Sequence, residues 1–377
     1  MVCHAAARVG TKVRKVLTEI GCLGCGQAYP SVGLPYCCPL CGGVFDYTGI
    51  WEFLTPDADL PGIWPNLRAL GWPPDWPPVS LGEGNTPLVW TEVSGRQVAF
   101  KCEFLNPSGS FKDRGSAALV SALAGRGVYM AVEDSSGNAG ASFAAYAARA
   151  GIKARVYVPA SASGPKRTQI EAYGAELVPI PGPRSAAAQA AFLAAQKGAT
   201  YASHAWLPFN LPAYATLAVE LVQQMQGSPG ALVLPVGQGG LLLGLVRGFQ
   251  SLQSAGVIQK IPAAIAVQAR ACAPLWSLFT TGRLAADEVA TLAEGVRVTR
   301  PVRADAVVAA VRETGGRFVL VDEVDILPGR DELARRGLYV EPTSALVWRA
   351  LELTLAELPE PVVVILTGSG LKAFPLP

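Results

Sequence analysis

The sequence predicts an α/β protein built on two parallel sheets, and three features carry that prediction. Short β-rich runs that are apolar throughout alternate with Ala-rich helical runs from residue 98 onward. Strands without a polar face must be covered on both sides, which is the condition of parallel sheets flanked by helices. Glycine-rich turns stand where predicted strands hand over to helices. Finally, 377 residues, 50% of them hydrophobic and only 16% charged, suffice to fill two cores and support an appendage.

Taken in order, the chain opens with a segment, residues 1–50, whose cysteines dominate. Cys22-x-x-Cys25 and Cys38-x-x-Cys41 are separated by 12 residues, the spacing of a zinc ribbon. Each pair makes a tight thiolate-presenting turn, and Cys22, Cys25, Cys38 and Cys41 together supply a closed tetrahedral site for a structural zinc (Zn). Cys37 adjoins this set and competes with Cys38. No basic cluster crosses residues 22–50, which favours a metal-stabilised module over a nucleic-acid-binding ribbon. Residues 51–80 follow as an arm, with Trp51, Trp64, Trp72 and Trp76 among seven prolines, and its indoles need cover.

Predicted strands then span 98–103, 128–133, 153–158, 176–180, 231–236, 263–268, 317–321 and 362–366. Helices are predicted at 112–125, 138–150, 165–173, 185–197, 213–226 and 240–254. Charge sets limits on partners. Thirty-one basic against 29 acidic side chains leave a net +2, which offers no electrostatic case for nucleic acid or an anionic membrane. Arg8, Lys12, Arg14 and Lys15 precede no apolar stretch, and no apolar run reaches spanning length, so a cytoplasmic protein is expected.

The chemistry is concentrated in Asn106-Pro107-Ser108-Gly109-Ser110-Phe111-Lys112-Asp113-Arg114-Gly115. Asn, Pro and Gly make a turn, and the residues after it make a buried helix. Lys112 therefore sits beside free backbone amides and the positive end of a helix, which disfavour a second positive charge and suit an uncharged amine or imine. Gly237-Gln238-Gly239-Gly240-Leu241 follows an apolar strand and opens a helix. Such a turn aims bare amides at an anion. A nucleotide-binding turn is the alternative there, although the P-loop lysine and the full Gly-x-Gly-x-x-Gly pattern are missing. Ser135-Ser136-Gly137-Asn138-Ala139-Gly140 reads locally as a helix cap.

The lysine run resembles that of the fold-type II pyridoxal-phosphate (PLP) enzymes, in the form found in the threonine synthases. Three further segments match that family in order: residues 135–140, residues 237–241, and Leu366-Thr367-Gly368-Ser369-Gly370-Leu371-Lys372. Gly84-Asn85-Thr86-Pro87-Leu88 and Glu341-Pro342-Thr343-Ser344-Ala345 are additional signatures, so the resemblance covers residues 80–372. It implies that Lys112 holds pyridoxal 5'-phosphate as an imine and then acts as the base at the α-carbon. It implies that Gly237, Gln238, Gly239, Gly240 and Leu241 cradle the cofactor phosphate, Asn138 donates to the ring oxygen, and Thr367 meets the pyridine nitrogen. Ser135, Ser136, Gly137 and Ala139 become the substrate-carboxylate loop. A neutral hydroxyl at Thr367 does not enforce a protonated ring nitrogen, which suits elimination and replacement better than transamination.

The same resemblance implies an inserted smaller domain, at 91–105 plus 117–203, leaving 81–90, 106–116 and 204–377 as the large domain, with the chemistry in the cleft between them. The family's arm wraps the body or a neighbouring subunit, which leaves a homodimer open. The implied activity is elimination or replacement at the β or γ carbon of an amino acid, with O-phosphohomoserine to threonine as the leading reaction. A serine/threonine dehydratase-like enzyme or a specialised β-replacement synthase is the rival, and a non-catalytic PLP- or nucleotide-binding regulator the more distant one. The sequence departs from the family at 203–212. Ser203-His204-Ala205-Trp206-Leu207-Pro208-Phe209-Asn210 stands where threonine synthases carry an arginine-bearing segment that helps bind the substrate phosphate. Gln238 stands where asparagine is common, and Glu294-Gly295 occupies the usual Ile-Arg approach. Lys166 and Arg167 are candidates to bind an anionic substrate group, with a solvated surface as the alternative. His204 is either a proton carrier or a packed core histidine.

Overall fold

The computed structural model describes residues 20–56, 59–161, 164–287 and 289–373. The basic residues Arg8, Lys12, Arg14 and Lys15 lie outside them. A short antiparallel pair, β1 (Ile20–Cys22) and β2 (Phe45–Tyr47), frames the ribbon, and α1 (Trp64–Ala69) sits in the arm. The body continues with β3 (Leu88–Val93), β4 (Arg96–Lys101), α2 (Lys112–Gly125), β5 (Met130–Glu133), α3 (Asn138–Ala150), β6 (Lys153–Pro159), α4 (Pro165–Ala172), β7 (Glu176–Ile180), α5 (Arg184–Gln196) and β8 (Thr200–Tyr201). It closes with α6 (Leu211–Met225), β9 (Ala231–Pro235), α7 (Gly240–Ser254), β10 (Ala263–Ala269), α8 (Pro274–Thr281), α9 (Ala304–Glu313), β11 (Arg317–Val321), α10 (Glu323–Arg335), α11 (Pro342–Thr354) and β12 (Val362–Ile365).

These strands form a six-stranded sheet ordered β11-β10-β9-β12-β4-β3 and a four-stranded sheet ordered β7-β6-β5-β8. All pairings within the two are parallel except the β3–β4 hairpin. Alternate residues along each strand of the large sheet feed opposite layers. Leu232, Leu234, Val363 and Ile365 pack with α6, α7 and α9, whereas Val233, Ile265, Val267 and Val364 pack with α11. Both faces being buried explains why the strands read as unbroken apolar runs.

One boundary differs from expectation. The sequence places residues 91–105 in the smaller domain, yet β3 and β4 belong to the six-stranded sheet, with Val98–Lys101 in parallel register beside Val362–Ile365. An apolar run specifies a buried strand but not its partner, and the crossing to the smaller sheet is made only by α2.

The arm is ordered by its own indoles. Trp64, Trp72 and Trp76 follow one another edge to face at 6.2 and 5.4 Å, and Trp76 reaches Phe209 at 5.7 Å. The ribbon docks through charge as well as rings. Asp46 takes a bidentate pair from Arg247 at 2.6 and 3.0 Å, and Arg303 Nε lies 3.3 Å from the same carboxylate. Arg303 also donates to the carbonyls of Phe45, Ala205 and Trp206. On the other side Tyr36 packs against Phe192, Tyr201 and Trp206, all within 5.8 Å. No described helix is long and apolar enough to cross a membrane.

Candidate active site

The turn before α2 is stitched to the exit of β12. Phe111 donates its amide to Thr367 O at 3.0 Å, Ser110 bridges Gly368, and Ser369 donates to Gly109 O. Asp113 clamps the turn from below, accepting from the Ser108 amide at 2.6 Å, the Ser108 hydroxyl at 2.5 Å and Ser142 Oγ at 2.6 Å. Arg114 points the other way, into a buried set with Glu103 and Glu220. Lys112, the first residue of α2, makes no side-chain hydrogen bond or ion pair among the described residues, its Nζ lying 4.9 Å from the Phe111 ring centre. Burial, joined by the charge of Arg184, lowers its pKa to about 8, although Glu133 and Glu341 pull the other way.

The second wall comes from α3 and the start of α11. Asn138 donates through Nδ2 to Glu341 Oε1 at 2.8 Å, and its buried Oδ1 has no partner among the described residues. Lys166, from α4, reaches Glu341 Oε2 at 2.8 Å. Lys372 donates to Ser108 O at 2.6 Å, and burial lowers it to about 8 despite Glu341 and Asp113. A Cβ on Gly368 would lie 2.3 Å from Glu341 Oε1 and 3.0 Å from Asn138 Nδ2, so glycine is required for this close approach. Arg167 faces away, 3.5 Å from Glu171 on the helix surface. Ser135 Oγ accepts from the Gly137 amide at 3.2 Å, and Gly137 is the N-cap of α3, which has no side-chain capping hydrogen bond.

The floor is the turn from β9 to α7. Gly239 adopts φ +82°, which L side chains rarely do, and a Cβ there would meet Val307 at 2.4 Å. The amides of Gln238, Gly239, Gly240 and Leu241 find no acceptor among the described residues. Gln238 uses its side chain elsewhere, accepting from the Val302 amide at 3.1 Å, so only its backbone is offered to the cradle. Tyr214 joins floor to lysine turn, its ring 5.4 Å from Phe111 and within 3.6 Å of a Cβ on Gly240. At the far end Thr367 Oγ1 and Ser344 Oγ lie 2.7 Å apart, with Ser344 also accepting from the amides of Thr367 and Gly368.

These residues fit PLP. A buried lysine of lowered pKa is available for the imine, unspent amides at a helix N-terminus suit a phosphate, and a hydroxyl pair suits an unprotonated ring nitrogen. Sequence reasoning misses Glu133, Glu341, Ser344 and Lys372 as site residues. Glu341, Ser344 and Lys372 stand inside motifs singled out above, while Glu133 adjoins the 135–140 loop. In the ribbon, the Sγ atoms of Cys22, Cys25, Cys38 and Cys41 lie within 4.8 Å of one another, a set able to hold a metal ion. Cys37 stands outside that set.

A family model described as "Pyridoxal-phosphate dependent enzyme" matches residues 79–368. The chain is 31% identical over 376 residues to threonine synthase of Methanocaldococcus jannaschii, covering 93% of this chain and 92% of that protein. Threonine synthase of Methanosarcina acetivorans is 30% identical over 375 residues, covering 94% and 92%. Among solved structures, a threonine deaminase from T.th. is similar at 28% identity and a TM-score of 0.65, over 75% of this chain and 92% of that one. Maize serine racemase shares the fold at 21% identity and a TM-score of 0.67, over 76% and 88%.

Proposed function

We propose that this chain, a threonine synthase-like lyase/synthase belonging to the pyridoxal-phosphate-dependent enzyme family, converts O-phosphohomoserine and water to threonine and phosphate. The observation that carries the reading is the pair of lysines in the cleft. Lys166 and Lys372 both act on Glu341 beside Asn138, and they offer charge-assisted donors to a substrate phosphate that the segment 203–212 no longer serves with an arginine. PLP, when bound, supplies an electron sink for charge developing at the α-carbon. Lys112 takes and returns the proton there, helped by its lowered pKa. Ser135, Ser136 and the amides that follow hold the substrate carboxylate, and the Gly237–Leu241 turn holds the cofactor phosphate.

The test compares kcat/KM for O-phosphohomoserine with that for L-serine and L-threonine, in the wild type and in Lys166→Ala, Lys372→Ala and Arg167→Ala. Loss of a charge-assisted contact of about 2 kcal/mol lowers kcat/KM roughly 30-fold, and this is expected for Lys166→Ala and not for Arg167→Ala. Efficient threonine formation that survives loss of both cleft lysines contradicts the reading. The missing arginine and the buried carboxylates Glu133 and Asp134 favour the rival, dehydration of serine or threonine, and the same assays decide it. The reading includes a structural zinc on the four cysteines, a homodimer and a cytoplasmic setting. Metal analysis, sedimentation and cell fractionation test these.

A further inference from the structure

The carboxyl edge of the four-stranded sheet carries a second buried polar group, built from residues to which no contact with cofactor or substrate carboxylate is assigned above. Ligands of open α/β sheets gather at this edge. Glu133 and Asp134 leave β5, Tyr201 ends β8, His204 stands three residues later, and Arg184 opens α5. Every carboxylate oxygen is engaged. Glu133 Oε1 meets His204 Nδ1 at 2.6 Å, and Glu133 Oε2 accepts from the Asp134 amide. Asp134 Oδ1 accepts from Tyr201 OH at 2.8 Å, and its Oδ2 lies 3.3 Å from Arg184.

His204 differs from its neighbours. Its side chain is 17% exposed, and Nε2 has no hydrogen-bond partner among the described residues. A histidine kept only for packing would bury both nitrogens with partners. One nitrogen fixed by a carboxylate and the other open is the arrangement of a proton acceptor. Lys112 is near enough for its charge to act on both Glu133 and His204. Burial, joined by the charges of Lys112 and Arg184 and opposed by Asp134, holds His204 well below its ordinary pKa, so the imidazole rests neutral.

We propose that His204 takes the proton of the water molecule that replaces the substrate phosphate, with Glu133 fixing the tautomer that leaves Nε2 free. This rests on the reading that O-phosphohomoserine is the substrate. After phosphate has left the γ-carbon and one β-proton has been moved to that carbon, which becomes the methyl group, water adds across the α,β double bond of the remaining four-carbon chain. The water oxygen forms a bond to the β-carbon and its proton passes to Nε2. The π pair becomes a C–H bond at the α-carbon, using the proton that Lys112 removed earlier. His204 then gives its proton to solvent, the equivalent of the one the leaving phosphate acquires.

The experiment follows phosphate, threonine and 2-oxobutyrate in the same reaction. Wild type is expected to make one threonine per phosphate released. In His204→Asn an amide N–H still reaches Glu133 but the Nε2 acceptor is gone. Threonine per phosphate should fall roughly a hundredfold, with 2-oxobutyrate and ammonia replacing it as the unsaturated product escapes and hydrolyses. An unchanged ratio in His204→Asn overturns the proposal alone. Wild type that releases no phosphate overturns both the substrate reading and the proposal. A second readout needs no turnover. The chain has two histidines, His4 and His204, so 15N-histidine spectra of the protein without substrate, assigned by His4→Gln, report the tautomer directly. An unprotonated Nε2 is expected, and a protonated Nε2 on a neutral His204 ring overturns the proposal.

Discussion

Lys112 occupies a place where an amine gives up its proton under mild conditions, because burial and Arg184 outweigh Glu133 and Glu341. Only the neutral amine attacks an aldehyde. The rate at which protein freed of cofactor captures PLP should therefore rise with pH through about 8 and level off above it. Absorbance-detected mixing across that range checks this, and a flat profile contradicts the shifted amine. Borohydride reduction should then fix PLP on Lys112, as mass mapping would show. Lys112→Ala should lose turnover by several orders of magnitude, since the imine and the α-proton base vanish together. Asp113 and Arg114, its sequence neighbours, look like one charged run with it, yet they point to a turn clamp and a buried ion set.

That ion set is the main device joining one element to the next. Arg114 on α2 bridges Glu103, two residues past β4, and Glu220 on α6, and Lys101 pairs with Glu220 at 3.0 Å, all four side chains being buried. Removing one partner strands the others, so Glu220→Ala should lower the unfolding free energy by about 3 to 5 kcal/mol in urea titration. Burial raises the Glu220 pKa, but Arg114 and Lys101 outweigh it and hold the carboxyl at about 2. Its contribution to stability is complete above the ordinary value of 4.5 and is lost as pH falls toward 2. Acid unfolding of the wild type should thus be steep in that window and shallower in Glu220→Gln. The starts of α2 at Lys112, α3 at Asn138 and α7 at Gly240 are legible because turn glycines and apolar runs are local signals. Strand β3 is not, since it is a half-exposed edge, and β8 is only two residues long. Helix α10 hides behind an internal Pro328 and scattered charge. The lysine, the asparagine and the glycine turns are readable as chemistry, whereas Glu133 and Lys372 acquire their neighbours only when distant strands meet.

Across the molecule the ribbon is fastened to two bodies at once. Arg247 and Arg303 hold it to the large sheet's side, while Tyr36 packs on Phe192 of α5, and Arg126, the C-cap of α2, donates to Pro30 O at 3.0 Å. Arg303 also grips the carbonyls of Ala205 and Trp206, next to His204. Cys22→Ser, or stripping of about one zinc per chain, should lower the thermal midpoint and slow turnover while PLP stays bound. Scanning calorimetry with absorbance of the bound cofactor checks this, and immediate release of PLP on metal removal contradicts a structural role. The docking pattern also bears on the order in which the chain is made. The ribbon leaves the ribosome before the body it docks on, and Arg303, which closes its seat, is translated more than 250 residues after Asp46. At about 5 to 20 residues per second that interval lasts tens of seconds at the slow end. Throughout it the module must hold its shape without the surface it is built to meet, which is the task the proposed structural metal on the four cysteines would serve.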